Sequence, residues 1–170
     1  MGGASNFIVL DLQYFLDNNG DVIVKELASV SNDNRNLKIF KNPFPWSMLS
    51  PKRQKTNHWT TKNHHGIHWN YGNIPYSELL LILTSLTHTY DQVFTKGHEK
   101  KMFLERMLQR DVLDINEFID PTDFKKEVYD QYFNCNHHCG NNNTCAMRQA
   151  LAYKNFIELN RHMFPVFYKF

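Results

Sequence analysis

The chain has 170 residues, a formal net charge of +2, 42% hydrophobic side chains and 14% aromatic ones. So much apolar and aromatic material excludes an intrinsically disordered chain, and this length suits a single domain with one sizeable core. The near balance of charge singles out no partner by bulk electrostatics, so any case for nucleic acid rests on local clusters of basic groups.

Residues 7–15, Phe-Ile-Val-Leu-Asp-Leu-Gln-Tyr-Phe, are too continuously apolar for a half-exposed strand and predict a central strand covered on both faces. Asp17-Asn-Asn-Gly20 follows, a tight-turn signal because Asn and Gly accept positive φ. A second strand over 22–30 should pair back on the first, and 38–40 predict a third. Pro43, Pro45 and Pro51 then interrupt regular structure, so 43–75 read as a long irregular excursion with one short helix at most. Over 77–89, Leu79, Leu80, Ile82, Leu83 and Leu86 form the stripe of a helix on a sheet, with Pro75 before it and Ser77 as its cap. Residues 91–94 predict a short strand, 100–109 a helix, 114–118 a short strand or turn, 121–132 a helix and 145–163 the longest helix. This order predicts one α/β or α+β layered domain.

The excursion carries Lys52, Arg53, Lys55, His58, Trp59, Lys62, His64, His65, His68 and Trp69. Cations beside aromatic rings suit single-stranded nucleic acid, since ammonium groups follow phosphates and rings stack on unpaired bases. The competing reading is a solvated basic loop whose Trp59 and Trp69 are core anchors. A second metal site among these histidines is a further, weaker alternative. Lys96-Gly-His-Glu-Lys100-Lys101 reads either as a phosphate contact at a helix start or as an exposed turn.

All three cysteines lie in Cys135-Asn-His-His138-Cys139-Gly-Asn-Asn-Asn-Thr-Cys145. Thiolates and imidazoles at such density are a zinc ligand set, whereas an odd number of thiols cannot all pair within the chain. Cys135, His138, Cys139 and Cys145 close a local tetrahedral set; His137 can replace His138, and free thiols in a polar loop are the alternative. No stretch approaches the roughly 18 apolar residues of a membrane span and no secretory leader is evident, so the expectation is a protein of the cytosol or nucleus without membrane contact.

Taken together, the hairpin with Asp11 on its first strand, His65-Gly-Ile67, a strand leading into Lys96-Gly-His98, and Cys145-Ala-Met-Arg-Gln-Ala150 opening a last helix resemble the layout of DEDDh 3′ to 5′ exonucleases. That resemblance implies an RNase H-like fold, a mixed β-sheet flanked by helices. In such enzymes acids hold two divalent ions. Asp11 matches the first acid, but Gln13 stands at the next, Lys101 near the second Asp position and Gln149 near the last. An amide or an ammonium cannot replace a carboxylate ligand, so ordinary exonuclease chemistry should be lost and Asp11 persists as a catalytic remnant or as a core acid.

The departure resembles the Maelstrom-like domain of the piRNA pathway, in which the acids give way to a Glu-Cys-His-Cys zinc site. On that resemblance Val24-Lys-Glu26-Leu-Ala28 carries the glutamate, and Cys135, His138 and Cys145 complete the shell around a structural Zn2+; Cys139 remains the rival fourth ligand. The implied partners are single-stranded RNA or DNA and silencing-pathway proteins. Two other functions compete: a protein-interaction module on the same fold, and a nuclease with an unusual site built on Asp11 and histidines.

Overall fold

The computed structural model describes residues 6–120, 135–138 and 144–168. Its frame is a mixed five-stranded sheet in the order β3-β2-β1-β4-β5. β1 (Phe7–Leu16) is central, antiparallel to β2 (Val22–Val30) and parallel to β4 (Gln92–Thr95). β3 (Arg35–Ile39) extends one edge antiparallel to β2, and β5 (Leu113–Asp114) extends the other parallel to β4. The expected strand over 38–40 thus begins earlier, and Phe40 instead forms an isolated bridge to Ile74. The continuous apolar run of β1 has its predicted cause: both faces are covered.

Among the described residues there are four α-helices: α1 (Pro51–Thr60), α2 (Leu79–Thr87), α3 (His98–Leu108) and α4 (Ala146–Leu159). Alternation along the strands sends Phe7, Val9, Ala28 and Val30 to one face, where Met147, Ala150, Leu151 and Ile157 of α4 cover them. Ile8, Leu10, Leu12 and Leu27 point the other way, against Leu79 and Leu83 of α2 and Phe103 and Leu104 of α3. No helix among the described residues is long and apolar enough to cross a membrane. The predicted helix over 121–132 lies outside the described residues.

One irregularity of the hairpin matters for the site. Gln13 pairs with Glu26 but Tyr14 pairs with Val24, so Lys25 is the extra residue of a β-bulge. A bulge re-aims side chains that simple alternation would fix. Glu26 keeps the α4 face, whereas buried Lys25 donates to the carbonyls of Phe40 at 2.9 Å and Trp69 at 2.7 Å, tying the excursion to the sheet. Burial pulls the Lys25 ammonium down to about 8.

The excursion is more regular than its prolines suggest. Pro51 does not break structure; it starts α1 at the first helical position, where its missing N–H is no loss, and the Ser50 hydroxyl accepts from Arg53 N at 3.2 Å. The helix continues as a π-helical turn over Thr61–His65 that ends at Gly66, whose φ of 68° is left-handed. The polar sequence hid this helix because only Asn57 of α1 is buried. Asn57 holds the end of β1 like a paired strand, accepting from Leu16 N at 3.1 Å and donating to Leu16 O at 2.8 Å. Asn57→Ala therefore strands a backbone donor and acceptor together, and urea denaturation should show a loss of about 2–3 kcal/mol; an unchanged midpoint would mean that α1 is not anchored there.

Ser77 is not a helix cap: it lies in a 3-10 turn, Tyr76–Glu78, from which α2 grows without a side-chain cap. Of the predicted α2 stripe, Leu79 and Leu83 are buried and Ile82 and Leu86 pack partly against them, while Leu80 is 50% exposed.

Candidate metal centre

Glu26, Cys135, His138 and Cys145 converge on one point, with their ligand atoms all within 4.8 Å of one another and all four residues buried. The hub is Glu26 Oε2, which lies 2.8 Å from His138 Nε2, 3.9 Å from Cys135 Sγ and 4.0 Å from Cys145 Sγ. A tetrahedral ion with bonds of about 2.0–2.3 Å has donor edges of roughly 3.3–3.8 Å, so the four atoms are spaced to hold a metal ion after small adjustments.

The surrounding hydrogen bonds aim these ligands. His138 Nδ1–H donates to the carbonyl of His65, which leaves the Nε2 lone pair facing the carboxylate. Two acceptors at 2.8 Å repel unless positive charge sits between them, so the geometry requires a proton or a metal ion there. Glu26 Oε1 accepts from Ala146 N at 2.7 Å, the first amide of α4, where the helix dipole favours an anion. Gln13 Nε2 donates to the carbonyl of Thr144, and the Thr144 hydroxyl donates to His64 O at 2.9 Å, holding the approach to Cys145. The centre therefore joins the bulged strand β2, the turn over 64–66 and the start of α4.

Without a metal ion, protons balance the same charges. The hydrogen bond from Cys145 pulls the Cys135 thiol down, while that same bond, burial and the Glu26 charge push the Cys145 thiol up. Burial opposes charge on His138, but its bonds to Cys135 and Glu26 prevail and hold it up at about 10. Metal binding at such ligands displaces the protons of the thiols and the imidazole, so affinity rises with pH. His65 differs: burial and the neighbouring His64 push it down to about 3, its Nδ1 accepts from Ile67 N at 3.1 Å, and its ring meets Phe15 edge-on. It is a neutral scaffold residue.

Of the rival ligands, His137 turns away and bonds Tyr71 Oη through Nδ1 at 2.6 Å, and Cys139 lies outside the described residues. No second cluster of three or more such ligands occurs among the described residues, the histidines of 58–68 included.

Asp11 lies on the α4 face of β1, fully buried, and pairs with Lys100 Nζ at 2.6 Å through Oδ1; Oδ2 has no hydrogen-bond partner among the described residues. Burial lifts the Asp11 carboxyl to about 6, with Lys100 opposing the rise. The ammonium that reaches Asp11 is that of Lys100, not Lys101, which pairs with Glu117 at 2.7 Å.

The sequence-predicted nucleic-acid residues separate into two groups. Lys52, Lys55, Trp59 and Lys62 are exposed and recur at helical spacing, so they form one outward stripe along α1 and its π turn, with half-buried Arg53 beside it. Trp69 is corrected: it is 6% exposed, packed against Phe15, Phe44 and Trp46, and cannot offer a free ring face to a base along the stripe. Around the α3 start, Lys96 lies over the Tyr153 ring, and Lys100 and Lys101 are each paired with an acid. The Gly97 amide donates to Asp114 Oδ1 at 2.9 Å, so a carboxylate already stands where a phosphate was expected.

A signal overlooked in the sequence is the absence of acid. No Asp or Glu occurs between Asp33 and Glu78, an interval holding Arg35, Lys38, Lys41, Lys52, Arg53, Lys55 and Lys62. The near-neutral total conceals this segregation. No protein-family model matches the chain, and no curated protein matches it.

Proposed function

We propose that this is a zinc-stapled, catalytically degenerate RNase H-like domain that binds single-stranded nucleic acid, RNA above all, as its resemblance to Maelstrom-like domains implies. The observation that carries the reading is the convergence of Glu26, Cys135, His138 and Cys145, distant in sequence, at the junction where that resemblance places a metal. Two thiolates, one imidazole and one carboxylate favour zinc among biological metals. The mixed sheet order β3-β2-β1-β4-β5 supports the RNase H-like assignment. The Asp11–Lys100 pair supports lost catalysis, because an ammonium takes up the one retained acid of a two-metal set. The zinc would be structural: its ligands are buried and its role is to fasten the hairpin to α4.

The binding surface is the α1 stripe, where Lys52, Lys55 and Lys62 supply phosphate contacts and Trp59, 60% exposed, supplies a stacking ring. Trp59, His64 and Lys100 also line a cavity of about 290 Å3 beside β1. Fluorescence-anisotropy titration of an unstructured RNA should show binding that weakens steeply with salt. Trp59→Ala should weaken it about tenfold, the loss of roughly one stacked base, without moving the melting temperature. Equal affinity of parent and a Lys52→Glu, Lys55→Glu variant would remove nucleic acid from the account and leave the fold as a protein-interaction module.

A further inference from the structure

A second feature of the excursion extends this reading. Between α1 and the segment 68–70 lies an open cavity of about 560 Å3, within the roughly 300–1,000 Å3 typical of small-ligand sites. Trp46 and Trp69 form its apolar wall, their ring centroids 5.4 Å apart and their planes at 70°. His58, Lys62 and His68 stand at its exposed rim, and no carboxylate among the described residues lines it. Half-buried Trp46 leaves part of its ring open to the cavity side.

An aromatic wall and a rim that carries cations and, among the described residues, no acid describe a ligand with a planar ring and an anionic group beyond it. We propose that this cavity receives one nucleotide, its base against the half-buried Trp46 ring and its phosphate at Lys62 and His58. Lys62 belongs both to this rim and to the α1 stripe, so a strand laid along Lys52, Lys55 and Trp59 ends at the cavity mouth. The site takes that nucleotide as one unstacked unit of the bound strand, which rests on the proposed function; a free mononucleotide presents the same chemistry.

The test titrates the intact chain with a nucleoside 5′-monophosphate and, separately, with an unstructured oligoribonucleotide, following tryptophan fluorescence. Parent, Trp46→Ala and His58→Glu are compared, with melting curves as the folding control. His58 is exposed, so His58→Glu reads the site even where Trp46→Ala fails to fold. Weakening of the oligonucleotide by about tenfold in the folded variants, with loss of the monophosphate signal, supports a strand nucleotide in the cavity. Loss of monophosphate binding alone supports a nucleotide site but overturns its link to the strand. Parent-like oligonucleotide affinity in both variants with no monophosphate binding overturns the cavity and leaves the α1 surface standing. A parent that binds neither ligand overturns the cavity and the proposed function together.

Discussion

With zinc bound at the proposed centre, Cys145→Ala should release it and lower the melting temperature by roughly 10 °C. The ligand lies fully buried at the first turn of α4, and its loss leaves Glu26 without the ion that balances it. Unbalancing one member of a buried charged set typically costs about 3–5 kcal/mol, and a domain of this size loses roughly 2–4 °C per kcal/mol. Protonated His138, 2.8 Å from Glu26, limits the loss, so the variant should unfold earlier rather than fail to fold. A strong chelator should reproduce the fall in the parent and leave Cys145→Ala unmoved, since both remove the same ion. A chelator effect of equal size on both proteins would place the metal elsewhere.

The second large effect is expected at the Asp11–Lys100 pair. Lys100→Met removes the one side-chain partner that the buried Asp11 carboxylate has among the described residues, at a cost of about 3–5 kcal/mol, and adding Asp11→Asn should recover most of it. The sign of the pH dependence follows from the direction of the shift. In the parent, burial holds Asp11 at about 6, above its unfolded value, so the folded state keeps a proton the unfolded chain has lost and stability falls as pH rises to about 6. Above that the parent contribution is flat. Lys100 opposes the rise, so its removal lifts the carboxyl further and the decline continues past pH 6, by at most about 1.4 kcal/mol per pH unit. Urea midpoints at pH 6 and pH 8 check this: Lys100→Met alone should lose stability between them. A pH-independent loss that Asp11→Asn does not repair would show Lys100 acting through packing.

Much of the sheet was legible because it obeys local rules. The apolar run of 7–10, resumed at Leu12 after Asp11, predicted a strand covered on both sides, and Asn18-Asn19-Gly20 marked the reversal that pairs it with β2. The long helix beginning after Cys145 showed itself through its apolar period, although it ends at Leu159 and gives way to a 3-10 turn over Arg161–Met163. The short helix allowed for in the excursion was left unplaced because nearly all of α1 faces solvent, leaving no apolar stripe; its legible signal was Ser50-Pro51, a cap followed by a first-turn proline, with Pro51 read instead as a break.

The candidate site was partly legible for a similar reason. Cys135, His138 and Cys145 announce themselves by ligand type, whereas Glu26 is an ordinary strand residue by pattern and entered only through the family resemblance. Its direction follows from alternation with Ala28 and Val30, while the bulge turns the neighbouring Lys25 away to its anchors at Phe40 and Trp69. Trp69 and Trp59 were indistinguishable by composition; packing of the first against Phe15, Phe44 and Trp46 separates them.

X-ray absorption at the zinc edge of the purified chain, with metal content from elemental analysis, examines the junction of hairpin and α4 most directly. The expected result is about one zinc per chain in a four-coordinate shell of two sulfurs near 2.3 Å and two lighter atoms near 2.0 Å, with the metal lost in Glu26→Ala. Protein that folds without stoichiometric metal, or a shell of three sulfurs that survives Glu26→Ala, would contradict it.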